Sequence, residues 1–406
     1  MAKIELLKQG YRPQFLHMDV LKDERRTAEK VQTCSTRVVV VGPLDLLIIN
    51  RMYFGGFASW TQLRKIENGV TIGMNPYSSE WDAMCRTLKS IPPFCDPGFK
   101  CFAGDSEGFD LRQHQEALRA IFSAINDWYG NGPDGLIRDI LSLEFMSPRH
   151  LTFPVTVGSD LKAKLLAMPK PKDPYKVSHY MKIVNASDNR KFCFIYIKIT
   201  GHPSGSYLTA LVNSWYSVVK PYIVIQFKLR NIDQTLDIFH RRGVVSMTLG
   251  DDFITSVHSS VQEVLNAKTF SDFSLSYGMR VTREDKTPIT EPFPVEPPIF
   301  LKRLLRYEPS VGRYLGALQE SAIIDFMCWM RKSGGRYPTD AEYRDLFRGA
   351  LREYALWGRE AYERGRQHVR AASLISLRHP YDPLPIWEDA LAEVTDDTRV
   401  VIWRGM

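Results

Sequence analysis

The sequence predicts an α+β protein, and three observations carry that prediction. Two distant stretches, Phe99 to Asp110 and Gly243 to Val257, read as strands that end in tight acidic turns. Amphipathic stretches with helical spacing lie between and around them. From about Leu304 onward the texture changes to helix-like segments rich in Ala, Leu, Arg and Glu.

The second stretch reads as strand, turn, strand. β-Branched residues flank Leu249-Gly250-Asp251-Asp252, with Gly and Asp at the bend. Two adjacent carboxylates repel unless a cation sits between them, and hard oxygen ligands favour magnesium or manganese over zinc. Taken alone, such a turn also fits a solvated hairpin tip. The first stretch adds a second acidic site, with Asp105 at a strand end and Asp110 five residues on. Carboxylates from two strand ends can hold a pair of metals for in-line phosphoryl or nucleotidyl transfer. One ion lowers the pKa of the attacking hydroxyl and the other neutralises the leaving oxygens. Asp105, Asp251 and Asp252 are the candidate ligands.

The 406 residues can bury a sizeable core and hold two or three subdomains. A composition of 44% hydrophobic, 24% charged and 12% aromatic residues excludes a disordered protein. A net charge of +7 allows a polyanionic partner without requiring one. The six cysteines have no zinc-ligand spacing and read as free thiols in a reducing compartment. No apolar run approaches the roughly 18 residues of a membrane span. Met1 to Lys8 lacks the apolar core of a signal peptide.

In chain order, Lys22, Arg25, Arg26, Lys30 and Arg37 cluster around an expected hairpin. That hairpin is either a solvated basic face or a clamp for a triphosphate. Val38 to Val41 read as a buried strand. Leu44 to Phe57 read as a helix with Leu44, Leu47, Ile48 and Arg51 on one face. Ser78 or Ser79 caps a helix from Glu80 to about Lys89. Leu111 to Tyr129 form an amphipathic helix whose apolar side holds Leu118, Ile121, Phe122, Ile125 and Trp128. Residues 168–174 read as an exposed basic loop, and Phe192 to Ile199 as a strand. Gly201 to Tyr216 form a Gly/Pro/Ser loop feeding a helix, with Thr209 and Asn213 four apart on one face. Backbone N–H groups at such a loop suit phosphate or a nucleotide sugar, although an ordinary capped helix looks the same. Residues 231–242 and Val257 to Leu265 read as helices. Lys286 is an isolated lysine after Tyr277-Gly278-Met279. Near a nucleotidyl-transfer site it is placed to donate a proton to departing pyrophosphate. Three further helices, from Ile323, Ala341 and Ala361, make up the tail. Their arginines (Arg344, Arg348, Arg352, Arg359, Arg364, Arg366) line either a nucleic-acid duplex or a solvated face.

These motifs, in this order, resemble the RNA-dependent RNA polymerases of picornavirus-like positive-strand RNA viruses, from about Lys22 to Arg303. Lys22, Arg26, Lys30 and Arg37 resemble the basic fingers motif that grips the triphosphate. Asp105 and Asp110 resemble the first palm motif, whose first Asp binds metal and whose second senses the ribose 2′-hydroxyl. Ser204, Gly205, Thr209 and Asn213 resemble the motif that completes ribose selection and moves in translocation. Leu249-Gly250-Asp251-Asp252 resembles the metal-binding signature, with Leu249 where the family usually has Tyr. Lys286 resembles the general acid, and Phe300, Leu301, Lys302 and Arg303 the primer grip.

The resemblance implies a right-hand polymerase. Residues 1–55 and 151–200 would be fingers, 56–150 and 201–304 a palm built on an antiparallel sheet, and 305–406 a helical thumb. It implies two Mg²⁺ ions (or Mn²⁺), an RNA template and primer, nucleoside triphosphates, a genome-linked protein primer and other viral replication proteins. The expected location is the host cytoplasm, at membrane-associated replication complexes. Only 21 residues precede Lys22, so the expected chain is a polyprotein fragment without the N-terminal part of the fingers. A catalytically inactive RNA-binding remnant is the rival from another class. A DNA-templated or reverse-transcribing polymerase shares the two-metal palm, and the Asp110/Asn213 pair argues against it.

Overall fold

The computed structural model describes residues 2–398 apart from 131, 153–154, 157–181, 186–190, 199–200, 284–285, 295–297 and 331–335, so the basic loop expected at 168–174 lies outside them. Its strands in chain order are β1 (His17–Leu21), β2 (Val38–Val41), β3 (Phe99–Ser106), β4 (Arg149–Leu151), β5 (Val155–Thr156), β6 (Lys182–Asn185), β7 (Lys191–Ile197), β8 (Val244–Leu249), β9 (Asp252–His258), β10 (Val281–Thr282), β11 (Arg303–Glu308) and β12 (Arg313–Leu318). They form three sheets.

The central sheet has the order β10-β3-β9-β8 and is antiparallel throughout. Phe99 to Gly104 of β3 pair with His258 to Phe253 of β9, and Val244 to Leu249 of β8 pair with Val257 to Asp252. The apolar side chains of this sheet go into two cores. Phe102, Phe253, Val257 and Phe270 meet Val224 and Ile225 of the helix Thr209–Leu229 on one face. Met247, Ile254 and Cys101 meet Trp81, Met84 and Phe300 on the other. With both faces covered, β9 reads as an almost unbroken buried run rather than an alternating one.

The N-terminal sheet follows the path β2-β1-β4-β7-β5, with β6 on β7. It contains one parallel pair, β1 with β4. The helices Leu44–Leu63, Gln115–Trp128 and Gly135–Met146 pack into a large core next to it. The third sheet is the hairpin β11–β12, which shares the C-terminal core with the helices Glu320–Met327, Asp340–Ala355, Arg359–Ser376 and Trp387–Thr395.

Several local expectations hold. Ser78 caps the helix Ser79–Thr87 through the N–H of Glu80. Thr339 and Glu342, which the sequence reading did not single out, form a reciprocal capping box on Asp340–Ala355. Leu118, Ile121, Phe122 and Ile125 are the buried stripe of Gln115–Trp128, while Trp128, expected on the same side, is exposed.

Others need correction. The helix expected from Leu111 starts at Gln115, because Phe109–Arg112 is a separate turn of helix and Gln113 and His114 are extended. In Leu44–Leu63 the face bearing Leu44, Leu47 and Ile48 is the exposed one, and Leu46, Ile49, Phe54 and Phe57 are buried. β2 buries only Val40, since it is an edge strand. The helix expected over Val257 to Leu265 is absent. The ladder with β3 runs on to Phe99↔His258, and one 3₁₀ turn (Ser259–Val261) follows, so tertiary pairing overrides local propensity. The C-terminal part is not purely helical, because residues 303–318 form β11–β12. Pro309, Ser310 and Gly312 make that turn between two apolar runs, with Gly312 at φ 66°.

Candidate functional site

The acidic turn joins β8 to β9. Leu249 pairs with Asp252, which leaves Gly250 and Asp251 as a two-residue loop. Gly250 has φ 67° and Asp251 does not enter the left-handed region. That is the II′ pattern, whose twist matches the strands and which places Gly first. The turn is pinned from below by the helix Thr209–Leu229. The Gly250 N–H donates to Ser214 Oγ at 2.8 Å, and Ser217 Oγ donates to the Gly250 carbonyl at 2.8 Å. Thr248 Oγ1 donates to the Ser214 carbonyl at 3.0 Å. Ser214 and Ser217 did not stand out in the sequence. The available signal was their position, one and four residues past Asn213 on the same helix.

β3 delivers the other acid. Extending its register one residue beyond Gly104↔Phe253 sets Asp105 opposite Asp252. Asp251 and Asp252 are mostly desolvated. Burial, followed by the Asp251 charge, raises Asp252 to about 6, and burial is also the main reason Asp251 lies above the usual carboxylate range. Asp105 is engaged by Lys286 in a direct ion pair. β10 brings Lys286 there, since Thr282 pairs with Asp105 and the chain turns back with Thr282 bridged to Pro288. Partial burial and then the charges of Lys30 and Lys302 hold Lys286 below the usual amine range. Lys286 therefore meets Asp105 directly, while Lys30 and Lys302, from two other segments, act on Lys286 electrostatically and Lys302 also acts on Asp252. Among the described residues, no three His, Cys, Asp or Glu side chains are gathered at ligand geometry. The donor set is nonetheless all hard oxygen, and the two turn acids carry repulsion that a divalent cation would relieve.

The basic hairpin is β1, the short helix Ala28–Gln32 and β2. Arg37 binds Glu24 through both forks of its guanidinium, with Nε to Oε1 at 2.7 Å. Lys22 (3.5 Å) and Arg26 (3.4 Å) approach the same carboxylate. The bond from Arg37 holds Glu24 down to about 2. Arg25 reaches the C-terminal part instead, pairing with Asp325 and lying 4.8 Å from the Trp329 ring.

The Ser-Gly loop seats on this hairpin. Gly205 bridges to Val41, and Val40 N–H donates to Ser204 Oγ at 3.4 Å. A Cβ at Gly205 would collide with the Val40 carbonyl oxygen, so the close approach requires glycine. Thr209 Oγ1 donates to the Pro203 carbonyl at 2.8 Å and shapes the loop. Asn213 Nδ2 donates to Asp110 Oδ1 at 2.8 Å, and Gln113 Nε2 donates to Asn213 Oδ1 at 2.8 Å. The expected Asp110–Asn213 partnership is therefore present, with Gln113 and the buried His202 as unforeseen members.

The four residues expected at the primer grip separate into two roles. Phe300 and Arg303 exchange backbone bonds across a turn whose tip, Leu301 and Lys302, lies at φ 57° and 58°. Phe300 is buried and stacks 6.4 Å from Trp81. Arg303 makes two 2.8 Å bonds to Glu353, which also accepts from Tyr77. Lys302 is left exposed at the tip.

A family model described as viral RNA-dependent RNA polymerase matches residues 2–368. Among curated proteins the chain is 26% identical over 360 residues to the replicase polyprotein of Drosophila C virus (88% of this chain, 18% of that protein). It is 27% identical over 336 residues to the replicase polyprotein of Acute bee paralysis virus (82% and 16%). It is 25% identical over 395 residues to the genome polyprotein of Rice tungro spherical virus (93% and 10%). The chain thus spans less than a fifth of the length of these relatives. A solved structure, the Sicinivirus 3Dpol RNA-dependent RNA polymerase, superposes with a TM-score of 0.67 at 17% identity, over 97% of this chain and 70% of that one.

Proposed function

The chain belongs to the viral RNA-dependent RNA polymerase family, and from that premise we propose that it carries out RNA-templated RNA synthesis for viral genome replication. The observation that carries this is the meeting of Asp105 with the half-buried Asp251–Asp252 turn at the end of the central sheet, with Lys286 paired to Asp105. On this reading residues 1–55 and 151–200 are fingers, 56–150 and 201–304 palm, and 305–406 thumb.

Asp105, Asp251 and Asp252 would hold two divalent ions, magnesium by preference and manganese as a substitute. When bound, such ions activate an attacking hydroxyl and neutralise charge on the leaving oxygens. The chain's own residues do the rest. Lys22, Arg26, Lys30 and Arg37 supply positive charge for the triphosphate, and Lys22, Arg26 and Arg37 must exchange Glu24 for phosphate to do so. Asp110 and Asn213 present a hydrogen-bonding pair to the ribose 2′-hydroxyl, so a sugar lacking it leaves them unpaired. Ser204, Gly205 and Thr209 shape the loop beside the nucleotide. Lys286, with its proton loosened, is placed to protonate departing pyrophosphate. Lys302 extends from its turn toward the primer strand, while Phe300 and Arg303 fix that turn to the palm and thumb. Template and duplex would be held mainly through phosphates and 2′-hydroxyls, so binding weakens with salt.

We further propose that the chain works in the host cytoplasm at membrane-associated replication complexes, with a genome-linked protein primer and other viral replication proteins. No helix among the described residues is long and apolar enough to cross a membrane.

The test is primer extension by the purified chain on a homopolymeric RNA template with Mg²⁺ and each nucleotide separately. The expected result is incorporation of the complementary ribonucleotide alone. RNA binding with no incorporation of any nucleotide would favour an inactive RNA-binding protein instead.

A further inference from the structure

We propose that His202 is a positioning residue for ribose selection, holding the Asp110 carboxylate so that one of its oxygens is kept for the nucleotide 2′-hydroxyl. The proposal rests on the reading above that Asp110 and Asn213 sense that hydroxyl.

His202 lies in the loop that precedes the helix Thr209–Leu229 and is 1% exposed. Its ring stacks on Phe145, with centroids 4.7 Å apart and planes at 15°, which fixes the ring plane. Nε2 stands 3.4 Å from Asp110 Oδ1, and this buried nitrogen has no hydrogen-bond partner of its own among the described residues. The ring's other nitrogen, Nδ1, lies 3.4 Å from the Pro203 carbonyl. A carboxylate is a stronger acceptor than a carbonyl, so the ring proton is favoured on Nε2, facing Asp110. Burial of an orphaned N–H is costly, and a 3.4 Å separation that shortens on nucleotide binding would relieve it.

The backbone reinforces the contact. His202 N–H donates to the Asp110 carbonyl at 2.9 Å. Gly201, at φ 68°, passes so close that a Cβ would collide with that same carbonyl oxygen. The His202 loop and the Asp110 turn are therefore docked as one unit. Oδ1 of Asp110 takes both Asn213 at 2.8 Å and the His202 contact, while Oδ2 has no partner among the described residues and the side chain keeps 33% exposure. One oxygen is anchored from below and the other is open to a ligand. If the lower anchor is lost, the carboxylate can rotate, and selectivity for the 2′-hydroxyl falls while contacts to the rest of the nucleotide remain.

The test compares kcat/KM for a ribonucleotide with that for its 2′-deoxy analogue in the parent chain and four variants. His202→Phe keeps the stacked ring and deletes the N–H. His202→Gln can return an amide N–H near the Nε2 position, and His202→Asn is too short to do so. Asp110→Ala is the control for the reading itself. We expect the ribo/deoxy ratio to fall about tenfold in His202→Phe and in His202→Asn, through the ribonucleotide only, and to recover most of the way in His202→Gln. A role confined to folding would lower both substrates together and leave the ratio unchanged, as would no role at all. If Asp110→Ala collapses the ratio while the Phe and Asn variants keep it, His202 is not the anchor and the ribose reading survives. If Asp110→Ala itself keeps the ratio, the ribose reading falls and this proposal with it.

Discussion

The acidic turn and the C-terminal helices are both dense in charge, yet they handle it in opposite ways. At the turn, like charges are crowded. Asp251 and Asp252 adjoin and are half-buried, and both lie above the usual carboxylate range. Lys30 and Lys302 press on Lys286 from two other segments. Among the C-terminal helices many charges meet their opposites. Arg348 and Arg352 share Glu393, Arg364 pairs with Glu360, Arg366 with Glu363, and Arg359 with Glu388. Crowded like charge raises the free energy of the folded state and persists where a ligand will relieve it. Matched charge is already relieved, so it marks structure. Of the C-terminal arginines that the sequence offered as duplex contacts, Arg348, Arg352, Arg359, Arg364 and Arg366 belong to the second kind, while Arg344 lies 5.8 Å from the Tyr381 ring.

The contrast yields predictions, here from the largest effect to the smallest. Lys286→Leu is expected to cut nucleotide incorporation on the order of 10³-fold, the range of general acid catalysis. Its side chain is 68% exposed, so the melting temperature should hardly move. An unchanged turnover would remove Lys286 from the crowded set. Glu353→Gln should act on stability instead. It leaves Arg303 and Tyr77 around a neutral amide in a mostly buried site, and the loss should be about 3 kcal/mol by denaturant titration.

A third region tests the same idea away from both sites. Lys220 is buried on the helix Thr209–Leu229 against Met279 Sδ (3.3 Å) and the Phe270 ring (4.5 Å), and burial pushes its amine down to about 7. Unfolded, the amine binds its proton up to its ordinary value of 10.5, so the unfolded state holds more protons between pH 7 and 10.5. Folding stability therefore gains as pH rises through that window, and the penalty is fully present below about 7. Lys220→Met should raise stability at pH 7 and abolish the Lys220 share of the pH slope. Melts at pH 7 and 9.5 that rise in parallel for parent and variant would contradict this. Smallest of all, Arg348→Ala should change stability by less than about 1 kcal/mol and leave RNA affinity within roughly twofold, since its partner Glu393 keeps Arg352. A large drop in RNA affinity would return that face to the duplex.

Much of the site was legible because the chemistry is written locally. Asp251 and Asp252 sit between two β-branched runs, and Asn213 lies four residues past Thr209 on one helical face. What was hidden depends on elements that are distant in sequence. No local pattern joins His202 to Asp110 or Ser214 to Gly250, because those contacts form only when the loop and helix dock on the sheet. The roles of Phe300 and Arg303 were also out of reach, since Trp81 and Glu353 come from opposite ends of the chain. In the fold, the β11–β12 hairpin was missed although Pro309, Ser310 and Gly312 mark its turn, because the helix-rich texture beyond it dominated the reading. Which face of Leu44–Leu63 is buried was out of reach for another reason. Apolar residues lie all round that helix, so periodicity alone does not select the buried side.

The measurement that bears most directly on the contrast is primer extension and thermal melting of Asp251→Ala, Asp252→Ala beside the parent. Removing crowded charge should abolish extension while the melting temperature holds or rises. Extension that survives, or a melting temperature that drops sharply with the activity, would mean that the two acids serve the fold rather than the reaction.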